Sequence, residues 1–150
     1  MKIHSQYLLL ITLVLFACGS DDPVEDPGPL VNSIEIVSID PPPGSTLNEN
    51  SVIAAELKYT IAPEEESPDY GFTIMIQFTK VGDTTSYSFS PNSVDLDSRS
   101  GTVTLDHAVL REWSAPATRH PIQVHYNLLR GTSINTYKVL AQTVDVDFSE

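Results

Sequence analysis

The sequence predicts an all-β fold: a seven-stranded β-sandwich preceded by a signal peptide and a disordered tether. Three observations carry this expectation. Apolar and polar residues alternate with period two through Ser51–Ile61 and Tyr70–Lys80, the pattern of strands with one buried face. Clusters rich in Pro, Gly, Asn, Asp and Ser separate the apolar runs at short intervals. No long helix is legible between them.

Bulk composition sets the outer limits. A chain of 150 residues supports one domain. Its apolar fraction of 41% is enough for a core, which excludes wholesale disorder. The net charge is −12 and the pI near 4.5. The eight Lys and Arg are scattered, so no phosphate-binding surface forms and nucleic acid is not an expected partner. A single Cys excludes an intramolecular disulfide.

Residues 1–17 read as a signal peptide. Lys2 and His4 lie in a polar start, Leu8–Phe16 is an apolar run, and the small Ala17 closes it. The run is far shorter than the roughly 20 residues a spanning helix needs. Leu15-Phe16-Ala17-Cys18 resembles the lipobox of bacterial lipoproteins. The resemblance implies cleavage before Cys18, acylation of Cys18, and a membrane anchor. Each buried CH₂ of an acyl chain contributes about 0.8 kcal/mol, so several chains hold the protein stably. The following GSDDPVEDPG is similar to lipoprotein starts in Bacteroidetes-type bacteria. That similarity implies an outer-membrane lipoprotein facing the cell surface. Residues 18–32 hold Pro, Gly and acids with little to bury, and read as an extended tether reaching at most ~45 Å.

The domain spans residues 33–150. Val31–Ile39 is the first expected strand, stopped by Asp40-Pro41-Pro42-Pro43-Gly44. Ser51–Ile61 follows, with Ile53, Ala55, Leu57, Tyr59 and Ile61 on one face. Tyr70–Lys80 is the strongest, with Tyr70, Phe72, Ile74, Ile76 and Phe78 expected inward. Thr85–Phe89 and Thr102–Leu105 are shorter strands, separated by a Ser- and Asp-rich loop over Pro91–Gly101. His107–Trp113 breaks the alternation and suits one or two helical turns. Ile122–Leu128 alternates again, and Thr136–Phe148 is a last long strand with a bulge.

Seven short strands with Pro/Gly turns describe a sandwich. A jelly roll or small barrel satisfies the same spacing. The Pro41–Gly44 turn, the Leu57–Tyr59 strand and the closing pair HPIQVHYNLLRG and YKVLAQTVDV resemble immunoglobulin-like and fibronectin type III-like domains of bacterial surface proteins. The resemblance runs over Val31–Phe148. It implies that the loops at 62–69, 91–100 and 130–135 share one end of the sandwich.

No Gly-x-Ser-x-Gly elbow and no Gly-rich phosphate loop is present. His107, His120 and His125 read as surface histidines, with His125 outside because Val124 and Tyr126 point inward. The acids Asp95, Asp97, Glu65 and Asp69 lie in loops of the kind that supply oxygen ligands to calcium, the one cofactor these residues suggest. Trp113 lies off the strand pattern. It reads either as a plug over the core or as a ring that stacks on a ligand. Asp83-Thr84-Thr85 resembles a short O-glycosylation acceptor.

These features point to a non-catalytic, lipid-anchored envelope protein, a structural or binding module presenting loops to a glycan or protein partner. Two alternatives remain open. The last strand suits a pilus or surface-fibre component that assembles by strand pairing. Asp95 and Asp97 suit a small carboxylate-dependent hydrolase.

Overall fold

The computed structural model describes residues 30–66, 69–83, 92–113 and 121–149. The signal peptide, Cys18, most of the tether, the expected strand at Thr85–Phe89, Thr84 and His120 lie outside the described residues. In chain order the elements are β1 (Ser33–Asp40), β2 (Val52–Thr60), β3 (Phe72–Lys80), β4 (Ser93–Leu96), β5 (Ser100–Ala108), α1 (Leu110–Trp113), β6 (Ile122–Ser133), β7 (Thr136–Gln142) and β8 (Val146–Asp147). They form two antiparallel sheets. One has the order β1-β2-β5; the other has the order β4-β3-β6-β7, with β8 also paired to β6.

The alternation of β2, β3 and β6 builds the core. Ile53, Leu57, Ile74, Ile76, Phe78, Val124, Tyr126 and Leu128 meet between the sheets, fully buried. Their neighbours Glu56 and Lys58 on β2 are exposed, as period two requires. An Ile or Leu side chain buried in this way contributes about 1.5–3 kcal/mol.

Four segments depart from the expected layout. The loop expected over Pro91–Gly101 contains β4, whose Val94 and Leu96 pack on the core while Ser93 and Asp95 face out. Those outward polar residues made it read as a loop. β5 is longer than expected, so His107, two residues beyond Leu105, also faces inward. It is buried, hydrogen-bonded through Nε2 to Glu112 at 2.9 Å, with the Phe78 ring 4.9 Å away. Glu112 itself is 0% exposed. The single turn α1 thus carries a carboxylate inward to meet the histidine.

His125 lies opposite Val124 and Tyr126 in direction, yet it is only 5% exposed. Gln77 lies 3.1 Å from its Nε2 and Asp145 3.2 Å from its Nδ1. The strand expected over Thr136–Phe148 divides into β7 and β8. At the break, the Thr143 hydroxyl accepts from the Tyr126 N–H at 3.0 Å, and the Thr143 N–H donates to the Tyr126 carbonyl at 3.0 Å. A side-chain oxygen thus takes over where the ladder loses a backbone acceptor.

The Tyr126 hydroxyl is buried with no hydrogen-bond partner. Burial, with a smaller effect from Asp106, pushes its ionisation well above the usual phenol range. Removing an orphaned hydroxyl discards a desolvation penalty and keeps the ring. Tyr126→Phe is therefore expected to leave stability unchanged or raise it by about 1 kcal/mol. Ile76→Ala, which opens a cavity in the same layer, is expected to cost about 2–5 kcal/mol. Urea denaturation of both variants reads the contrast.

Candidate functional site

The loop between β2 and β3 crosses from one sheet to the other and is clamped from four sides. The Glu65 carboxylate accepts from Asn32 Nδ2 at 3.1 Å, Lys138 Nζ at 3.0 Å and Arg130 Nη1 at 3.3 Å. Arg99 donates to the backbone carbonyls of Ala62 at 2.9 Å and Glu65 at 2.7 Å. Its guanidinium also lies 5.5 Å from the Phe72 ring centroid. Asn32 Oδ1 accepts the Ala62 N–H at 2.8 Å. These contacts gather the start of β1, the start of β5, β6 and β7 around one loop. The Lys138 contact, the strongest influence, holds the Glu65 carboxyl below its ordinary range; Asn32 and Arg130 act the same way, and partial desolvation opposes them.

The same loop delivers Tyr70. The sequence placed Tyr70 inward with Phe72, but the intervening Gly71 has φ +73°. That left-handed residue turns the chain, and Tyr70 is 54% exposed. Gly71 accepts the Gly131 N–H at 3.0 Å. A Cβ added to Gly131 would stand 2.5 Å from the Tyr70 Cβ, so only glycine lets the tyrosine lie there. Tyr137 pairs directly with Gly131 across β6 and β7. Directly paired residues project from the same face. Tyr70 and Tyr137, the latter 44% exposed, therefore flank Gly131 on the outer face of the larger sheet.

Register extends this face. Asp95 pairs with Thr73, Thr73 with Leu129, and Leu129 with the exposed Val139. Ile74 and Val94 point into the core, so Thr73 and Asp95 point outward. Ile134, 75% exposed, stands at the tip of the β6–β7 hairpin beside them. Two solvent-facing phenol rings with aliphatic neighbours suit contact with the C–H face of a sugar, an apolar side chain or a cation.

The residues expected from sequence are placed as follows. Asp95 lies on this face. Asp97 is exposed in the bend after β4, and Asp69 is exposed in the turn before Tyr70. Glu65 does not join the other acids in an oxygen cage; two cations occupy it. Among the described residues, no group of three or more His, Cys, Asp or Glu could hold a metal ion. Trp113 is half-buried against the core, its backbone N–H donating to the Val109 carbonyl at 2.7 Å. Of the loops expected at 62–69, 91–100 and 130–135, the second contains β4 and the third falls largely within β6; Arg99 and, from strands β6 and β7, Arg130 and Lys138 reach the residues around Glu65. Nothing in the sequence marks Tyr137, because Gly131 falls in an expected loop and its pairing with Tyr137 emerges only from the register of β6 and β7.

Comparison with protein-family models, with curated proteins and with solved structures found no match. No helix among the described residues is long and apolar enough to cross a membrane.

Two outcomes test this geometry. Glu65→Ala strands Lys138 and Arg130 and is expected to cost about 2 kcal/mol in urea denaturation, a charge-assisted cluster being worth more than an exposed pair. Acid should weaken the fold. Burial lowers the affinity of His125 for protons below the ordinary 6.5, although Asp145 opposes the shift. A folded value below the unfolded one means that the unfolded chain takes up the proton first. Stability is therefore full above pH 6.5 and falls as the pH drops below it. His125→Gln, followed by thermal unfolding across that window, should flatten the decline.

Proposed function

We propose that this chain is a lipid-anchored envelope protein whose immunoglobulin-like, seven-stranded sandwich is a non-catalytic binding module. The order β1-β2-β5 against β4-β3-β6-β7 supports the immunoglobulin-like reading, with β7 and β8 together serving as the last strand. The sequence Leu15-Phe16-Ala17-Cys18, a short distance before β1, supports the anchor. One observation carries the binding role: Tyr70 and Tyr137 stand exposed on either side of Gly131, on a surface held in place by the Glu65 contacts. Tyrosine supplies a large rigid contact area at low entropy cost. Rings of this size usually find burial within the fold, so a pair fixed in solvent marks a contact surface.

Two measurements test the reading. Cys18→Ala, expressed in a bacterial host that processes lipoproteins, should move the protein from the membrane fraction to the soluble one. Retention in the membrane would remove the anchor. The double variant Tyr70→Ala, Tyr137→Ala should unfold within a few degrees of the parent, because neither ring is buried. It should also lose any ligand-induced rise in the unfolding midpoint found with a panel of glycans and envelope proteins; binding at 100 times Kd adds about 2.7 kcal/mol. Unchanged binding by this variant would overturn the site.

A further inference from the structure

The charges around the tyrosines are sorted. The described cations at this end of the sandwich are Arg99, Arg130 and Lys138, and all three are engaged within the protein, Lys138 while half exposed. Arg99 donates to two backbone carbonyls, while Arg130 and Lys138 share the Glu65 carboxylate. The acids are left in solvent. Glu64, Glu66, Asp69, Asp95 and Asp97 are all exposed, and none makes an ion pair with a described residue. Asp69 precedes Tyr70 in the chain, and Asp95 projects from the same sheet face as the two rings.

Two polar atoms near that face are buried without a partner, the Asn127 Oδ1 and the Arg130 Nε. Asn127 lies on it, two residues before Leu129, and is 2% exposed. Its Nδ2 donates to Gln77 Oε1 at 2.8 Å, while its Oδ1 has no partner. The face therefore offers ring faces and carboxylates, with the unpartnered Asn127 Oδ1 buried beneath it. It offers no free cation among the described residues.

We infer that the Tyr70–Tyr137 face binds a cationic protein segment, one carrying Lys or Arg side chains, in preference to a neutral or acidic glycan. The inference rests on the binding role proposed above and specifies its partner. A guanidinium or ammonium laid on a tyrosine ring is drawn to the negative face of its quadrupole. Flanking carboxylates reinforce that attraction and repel anionic polysaccharide. A second copy of this chain is disfavoured by the same arithmetic, since each copy carries a charge of −12.

The test uses the full-length chain in mild detergent and three probes: an octapeptide of alternating Arg and Ser, one of alternating Glu and Ser, and a neutral hexasaccharide. Titration calorimetry at fixed ionic strength should show the Arg peptide binding at least about tenfold more tightly than the Glu peptide. Affinity should fall about tenfold between roughly 50 and 200 mM salt. Tyr70→Ala and Tyr137→Ala together should weaken the Arg peptide about fivefold with charge unchanged, and Asp95→Asn should weaken it further. Arg-peptide binding indifferent to the tyrosines would be unspecific attraction to an acidic protein and would overturn the inference. Hexasaccharide binding lost in the tyrosine variants, with no preference for the Arg peptide, would overturn the cationic partner and leave the binding module standing. Binding of no probe, with the tyrosine variants unaltered against envelope components, would sink both.

Discussion

The carboxylate of Glu65 collects hydrogen bonds from Asn32, Arg130 and Lys138, while Arg99 binds the backbone on either side of it. These partners come from the start of β1, from β6, from β7 and from the approach to β5. The loop they hold is the one that carries the chain from the smaller sheet to the larger. The clamp acts together with the Gly131 N–H bond to the Gly71 carbonyl, which ties the end of the same loop to β6. The position of Tyr70 over Gly131, and hence the tyrosine surface, depends on both. Partial burial makes the arrangement worth more than an exposed ion pair, because side-chain exposure of 11% at Glu65 limits screening by solvent.

Strand β6 is the second constraint. It pairs with β3, β7 and β8, and Ile122–Leu129 is buried on both faces, Gln123 excepted. Its inner face is the expected aliphatic and aromatic row. Its outer face holds His125, Asn127 and Leu129, packed among Thr73, Gln77, Val139 and the Thr143–Asp145 link. Polar groups at such a position must satisfy one another, and most do. The Asn127 Oδ1 and the His125 Nδ1 are buried there without a hydrogen-bond partner, the latter beside the Asp145 carboxylate.

Much of the fold is legible in the sequence because its central strands have one apolar face. β2, β3 and β6 follow from period two alone. Errors arise where a local residue or a distant partner overrides the pattern. Gly71 turns Tyr70 out of the alternation that Phe72 begins. Asp145 and Gln77 bury His125, and neither is near it in sequence. β4 carries Ser and Asp on its outer face and so resembles a loop. Glu65 reads as one acid among several in Glu64-Glu65-Glu66, and the cations that engage it stand 65 and 73 residues further on. No spacing rule reaches that far.

The geometry of entry into the sandwich adds one consequence for the proposed anchor. Asn32, the last residue before β1, bonds to Glu65, so the chain enters the domain at the end where the Glu65 loop lies, next to the rings. A domain lipidated at Cys18 would therefore hang with its acidic loops toward the membrane. An anionic surface would repel those loops, and a tether of the expected reach, up to ~45 Å, would give the domain room to stand off or tilt. The rings lie on the side of the larger sheet rather than on its end, so a tilted domain exposes them laterally along the envelope. That orientation suits a partner lying beside the lipoprotein in the same membrane plane. On the proposed anchor, an acidic tether and acidic loops would share a role: keeping the proposed binding face clear of the lipid.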